Sequence, residues 1–68
     1  MPSTAIERID YDPGRRTLSV WFVPTGYRYD YFDVPPDLYR AFTASGSKGR
    51  FFNARIRDHY TYRRRAPA

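Results

Sequence analysis

No cysteine occurs in this chain, so it has neither a disulfide framework nor a thiolate metal site. That absence suits a reducing cytoplasm, where the protein is expected to reside. Histidine occurs once, as His59. One His among scattered Asp residues is not a metal set, and without a Cys to activate it is not part of a nucleophilic pair. Ser45 and Ser47 lack the sequence context of a nucleophile, and Asp10, Asp12, Asp30, Asp33 and Asp37 fall mostly at strand ends and turns, where acids cap and solubilise. A binding protein with no cofactor is therefore expected, not an enzyme. No apolar run approaches the roughly 20 residues that a membrane span needs, so no membrane association is expected. The start, Met1-Pro2-Ser3-Thr4, has no basic stretch followed by an apolar one and does not read as a signal peptide.

Aromatic side chains, by contrast, are abundant. Of 68 residues 19% are aromatic, including seven Tyr and one Trp. A chain this short buries only about 60% of its unfolded surface, and large rings offset the thin core by burying roughly 150–250 Å² each.

Charge is unevenly spread. Lys48, Arg50, Arg55, Arg57, Arg63, Arg64 and Arg65 stand against Asp58 alone, a net of +6, while the rest of the chain carries a net of −1. Eleven of the twelve basic residues are Arg, whose planar donor fork grips phosphate and stacks on bases. A polyanion, RNA above all, is the expected partner.

Alternation and turn residues organise the chain. Residues 5–11 read as a first strand with a bulge or a twist between Ile6 and Ile9, because those two cannot share a face in a regular strand. Asp12-Pro13-Gly14-Arg15 is a turn, with Gly14 free to take positive φ. Residues 17–23 form the clearest strand, with Leu18, Val20 and Phe22 on one face and Ser19 and Trp21 on the other. Pro24-Thr25-Gly26 turns the chain into a third strand over 27–32. With Thr25-Gly26 at the tip, Phe22 faces Tyr29 and Val20 faces Tyr31, while Arg28 and Asp30 share the outer face with Trp21 and Val23; a one-residue slip would bury charge. Pro35-Pro36-Asp37 opens a helix with Leu38, Ala41 and Phe42 on one face, stopped at Ser45-Gly46 with Gly46 left-handed. Ser47 caps a second helix over 48–60, whose Phe52, Ile56 and Tyr60 face the sheet. The expected fold is α+β: a three-stranded antiparallel meander followed by two helices on one face. Residues 1–62 form the domain and 63–68 a basic disordered tail.

Several segments, in order, resemble the KTSC domain, a short bacterial domain named for its place at the C-terminus of some lysyl-tRNA synthetases and also found alone. They are Ile6-x-x-Ile9-x-Tyr11-Asp12, Leu18-x-Val20-x-Phe22, Tyr29-Asp30-Tyr31-x-x-Val34-Pro35, and Ser47-Lys48-Gly49-Arg50-Phe51-Phe52-Asn53-x-x-Ile56-Arg57, with Tyr60 as a closing Tyr. What the resemblance implies is modest, because the family is of unknown function; it implies RNA binding only through the association with tRNA synthetases. Tyr27-Arg28-Tyr29 departs from the pattern as a second Tyr-x-Tyr that overlaps the first.

Candidate binding residues follow. Tyr29 and Tyr31 belong either to the core or to a stacking surface, and as core residues can still bring a hydroxyl to the rim. Trp21, on the outer face beside Arg28 and Arg8, is a stacking-plus-phosphate position. Arg50 and Arg57 lie together opposite the apolar face of the second helix, with Lys48 and Arg55 at its edge. Ser47-Lys48-Gly49-Arg50 resembles a phosphate nest, or else a plain helix cap. Arg63, Arg64 and Arg65 act as an arm adding phosphate contacts. The competing expectation is a protein-interaction or self-association module that covers the outer sheet face, Trp21 included, with a protein partner or a second copy of the chain.

Overall fold

A computed structural model describes residues 6–66. Strands β1 (Ile6–Asp12), β2 (Thr17–Phe22) and β3 (Arg28–Tyr31) pair antiparallel in chain order. Helix α1 (Pro36–Ala44) and helix α2 (Lys48–Phe51) follow, and α2 runs directly into a π-helical turn over Phe52–Ile56. Strand β4 (Tyr62–Arg65) then returns to pair antiparallel with β3. The sheet has four strands in the order β1-β2-β3-β4, not the three expected.

The correction falls on Arg63, Arg64 and Arg65, expected in a disordered tail and found in β4. No apolar alternation advertises that strand. It is held by its ladder to β3, by Tyr62 packed against Tyr29 and Tyr31 (ring centroids 5.4 Å apart in both pairs), and by Arg65 Nε donating to Asp30 at 2.8 Å. The Phe32 N–H, donating to Thr61 O at 2.9 Å, extends the same ladder. Of the remaining tail, Ala66 is exposed and residues 67–68 lie outside the described residues.

The turns set the registers. Of the bulge or twist expected in β1, the strand has a shift of register between Ile6 and Arg8, which brings Ile9 opposite Val20 and Tyr11 opposite Leu18. At the β1–β2 turn Asp12 Oδ1 accepts from Gly14 N–H at 3.0 Å and Arg15 N–H at 3.3 Å. The left-handed residue of that turn is Arg16, at φ 52°, not Gly14. Between β2 and β3 the loop is longer than expected: Phe22 N–H donates to Tyr27 O at 3.0 Å, and Gly26, at φ 75°, donates to Phe22 O at 2.8 Å. Val23 therefore lies in the loop, and Val20 pairs with Tyr29 and Leu18 with Tyr31. The shift is by two residues, so every side chain keeps its expected face, as the period of the pleat requires.

The core lies between the sheet and the helices. Leu18, Val20, Tyr31, Val34, Leu38, Phe42, Phe52 and Ile56 are buried, with Ile9, Tyr11, Phe22, Tyr29 and Tyr60 packed around them. Val34 is pinned from two sides: its N–H donates to Arg16 O at 2.9 Å, and its carbonyl accepts from the Tyr11 hydroxyl at 2.6 Å. Helix α1 buries Leu38 and Phe42 as expected, but Ala41 is exposed. It ends at Ser45 in an extended conformation, and no positive φ occurs at Gly46. Ser47 caps α2 as expected, its hydroxyl accepting from Arg50 N–H at 3.3 Å. The second helix does not continue to residue 60: the Arg57 N–H donates to Phe52 O at 2.9 Å, five residues back, which widens the turn while keeping Phe52 and Ile56 buried.

Candidate nucleic-acid interface

Helices cover the inner face of the sheet unevenly. Leu18 and Val20 are fully buried on β2, Tyr29 on β3 is half-buried, and Tyr62 on β4 is 51% exposed. The uncovered corner is a cleft of about 570 Å³ lined by Phe22, Tyr27, Tyr29, Tyr31, Phe52 and Tyr62, with Arg57, Asp58, Arg64 and Thr25 completing the wall. The rings form a connected set. Tyr29 and Tyr31 lie nearly parallel with centroids 6.3 Å apart, and Phe52 meets Phe22 and Tyr31 edge-on at 5.2 and 5.5 Å. Such edge and offset arrangements suit the ring quadrupole and hold the wall in shape.

Both earlier readings of the tyrosines fit part of this geometry. Tyr31 is a core residue, 2% exposed, and also reaches the cleft wall. Burial pushes its phenol well above the ordinary value, aided by Tyr29 and Tyr62, while the Arg57 charge opposes the shift and Asp58 adds to it. The hydroxyl is therefore neutral across the physiological range and available as a donor.

The charged residues divide into those committed to the protein and those that are not. Lys48 Nζ donates to Thr43 O at 3.2 Å and Ser45 O at 3.0 Å, so it satisfies carbonyls at the end of α1. The Ser47 hydroxyl is likewise spent on Arg50 N–H, and α2 is a single short turn, so the Ser47-to-Arg50 segment is a cap. Arg50 and Arg55 are exposed, and the Arg55 guanidinium sits 5.5 Å from the Phe51 ring. Arg57 does not stay with Arg50: the widened turn puts it on the cleft, and Arg50 is not in the lining. Arg64, with its guanidinium 4.9 Å from the Tyr27 ring, joins Arg57 there. Among the described residues neither has a carboxylate within ion-pairing distance.

The outer face is organised around Asp30, a carboxylate only 6% exposed. It accepts from Arg65 Nε at 2.8 Å, from the Ser19 hydroxyl at 2.8 Å, and from Arg28 Nη2 at 3.3 Å; Arg28 Nε lies 3.1 Å from Oδ1 without hydrogen-bond alignment. Burial by itself disfavours the ionised form, but the Arg65 and Ser19 hydrogen bonds and the two guanidinium charges outweigh it and hold the carboxyl below its ordinary range. Arg63, paired with Asp30 in the ladder, is exposed on the same face. Trp21 is half-buried, with Arg8 4.4 Å and Arg28 5.8 Å from its ring centre. The expected Trp21–Arg8–Arg28 grouping exists, but guanidinium groups already occupy the ring.

The sequence reading missed Tyr27, Tyr62, Phe22, Phe52, Thr25 and Asp58 as cleft residues. No sequence signal marks the last part of the cleft, because Tyr62-Arg63-Arg64-Arg65 has no period-two pattern to show that Tyr62 and Arg64 share a face.

Comparison with known proteins shows which chains this one is similar to. The family model of the KTSC domain matches residues 2–60. A protein of Tsukamurella paurometabola is 36% identical over 58 residues, covering 85% of each chain. An uncharacterized protein of Stutzerimonas stutzeri is 35% identical over 63 residues, covering 91% of this chain and 87% of its own. The crystal structure of a KTSC domain protein from Yersinia pestis superimposes with a TM-score of 0.87 at 35% identity, covering 97% of this chain and 92% of that one.

Proposed function

The chain belongs to the KTSC domain family, and we propose that it is a small non-catalytic RNA-binding protein of the cytoplasm that takes an unpaired nucleotide into the tyrosine-lined cleft. The observation that carries this reading is the pairing of a ring-walled cleft with two guanidinium groups, Arg57 and Arg64, that have no carboxylate partner among the described residues. Unpaired bases are recognised by stacking on aromatic side chains, and the adjoining phosphates by arginine. A cleft of about 570 Å³ is of a size to take one unpaired nucleotide, so single-stranded or looped RNA is the ligand class it suits. The net +6 of the Lys48–Arg65 segment supplies the longer-range attraction. The interaction-module alternative has less support, since the outer face carries Trp21 among charged and polar side chains and offers no broad apolar patch among the described residues.

The test is fluorescence anisotropy with a short single-stranded RNA, with the same sequence as a duplex, and with heparin, across a salt series. The single strand is expected to bind more tightly than the duplex, with affinity falling steeply as salt rises. Tyr62→Ala, checked for fold by circular dichroism, is expected to lose most of that affinity. Equal binding of heparin and RNA, or wild-type affinity in Tyr62→Ala, would remove the cleft from the account.

A further inference from the structure

Asp58 is the one acid among the residues that line the cleft, whose other members are six aromatic rings, Arg57, Arg64 and Thr25. A carboxylate is out of place in a site that merely attracts phosphate, because it repels the ligand. It is not there to neutralise a neighbour either: among the described residues Asp58 makes no ion pair and no hydrogen bond. Asp30, Asp37 and Asp12 have partners, in Arg28 and Arg65, in Arg40, and in the turn that Asp12 closes; Asp58 differs from the other acids without a partner in lining the tyrosine cleft. Asp58 is a free double acceptor beside a surface built for flat rings.

Resting on the RNA reading above, we infer that Asp58 makes the cleft selective for an unpaired guanine. The inference follows from the edges that the bases present. Guanine carries two adjacent donors on its Watson–Crick edge, N1–H and the N2 amino group, which match the two oxygens of a carboxylate. Adenine and cytosine each offer one amino donor beside a ring nitrogen that is an acceptor, so one carboxylate oxygen would face a lone pair. Uracil offers a single N–H between two carbonyl oxygens, the worst match of the four. Arg57 and Arg64 are left for the phosphates on either side, and the Tyr and Phe rings for the base plane. Stacking brings affinity with little preference; the carboxylate adds discrimination by leaving the wrong base with opposed acceptors.

The experiment uses the full chain and short uridine RNAs with a single G, A, C or U at the centre, so that no probe can form a guanine quadruplex. Wild type is expected to bind the G probe about tenfold or more tighter than the all-uridine one, as a bidentate contact commonly discriminates. Asp58→Asn keeps the shape and removes the double acceptor; because Asp58 is exposed, it is expected to melt with wild type. It should bind all four probes within about threefold of one another, by losing affinity for G and not by losing affinity for U. Binding of all four probes with equal affinity by wild type overturns the guanine assignment and leaves the RNA reading standing. A G preference that persists in Asp58→Asn overturns the role of Asp58. Failure of wild type to bind any probe at low salt overturns both the assignment and the reading on which it rests.

Discussion

Replacing Asp30 by Asn tests the account of the fourth strand, because Asp30 is where β2, β3 and β4 meet. The substitution keeps the shape and leaves an oxygen for the Ser19 hydroxyl, but it removes the charge that Arg65 and Arg28 share. An exposed ion pair contributes about 0.2–1 kcal/mol, and breaking a buried one costs roughly 3–5 kcal/mol. Here the carboxylate is buried while the Arg28 and Arg65 side chains are 36% and 47% exposed, so the orphaned guanidinium groups can turn to water. The loss should lie between those limits, at about 2 kcal/mol once solvent screening is allowed for. For a domain of this size that is a fall in melting temperature of roughly 8–16 °C. The pH dependence has a definite sign. The folded-state pKa of Asp30 is depressed, so its contribution is fully present above the unfolded value of about 3.9 and is lost as pH falls through the folded value. Melts of wild type and Asp30→Asn should therefore be well separated at pH 7, begin to converge only as pH falls through about 4, and come together once it lies below the depressed folded-state value. A double-mutant cycle with Arg65→Met should return a coupling of about 1 kcal/mol or more, as close charged pairs do. A variant that melts within a degree or two of wild type at pH 7, or a negligible coupling, would mean that β4 is held by its backbone ladder alone.

Other substitutions probe other links. Phe52→Ala removes a buried ring that touches Phe22 and Tyr31, and should cost roughly 3–5 kcal/mol, enough to unfold a marginal domain; a thermal melt close to wild type would refute the packing assignment. Tyr11→Phe deletes only the hydroxyl that donates to Val34 O and should cost about 1–2 kcal/mol by denaturant titration, since it leaves a buried carbonyl short of a partner. Arg57→Ala/Arg64→Ala should keep the fold, weaken RNA of every sequence alike, and flatten the salt dependence by about 1.4 logarithmic units per decade, while Arg50→Ala should bind within about twofold of wild type. If the Arg50 variant instead loses as much as the double variant, affinity comes from diffuse charge and not from the cleft.

Strands β1 to β3, their faces, the irregularity in β1 and the two helix starts are legible because each is written in local terms: period-two alternation, Pro and Gly in turns, and Ser47 before the second helix. The register between β2 and β3 is legible only in its parity. Alternation says which side chains share a face, but the number of residues in the loop decides which of them are opposite. That depends on a hydrogen bond from Gly26 to Phe22 that no pattern announces. Strand β4 is hidden for a different reason. Its side chains are Tyr62 and three arginines, all exposed, so it has no hydrophobic signature, and three consecutive like charges read as a solvated tail. What makes them a strand is an acid 35 residues away in sequence, Asp30, bonded to Arg65.

The same fact explains why the binding site could not be assembled from the basic segment alone. The Lys48–Arg65 run suggests one positive surface, yet each residue's backbone position sends its charge elsewhere. Lys48 turns back onto α1, Arg65 crosses to Asp30 on the outer face, and only Arg57 and Arg64 converge. Two local events produce that convergence. The i to i+5 bond from Arg57 to Phe52 rotates Arg57 away from Arg50, and the alternation of β4 places Arg64 with Tyr62 on the inner face while Arg63 and Arg65 go out. Charge counted along a sequence measures the long-range field, which steers association. Charge counted around the cleft measures what can hold a ligand, and there the balance is two arginines and Asp58. It follows that removing arginines outside the cleft should slow association with little effect on dissociation, whereas changes to Arg57, Arg64 or Tyr62 should speed dissociation.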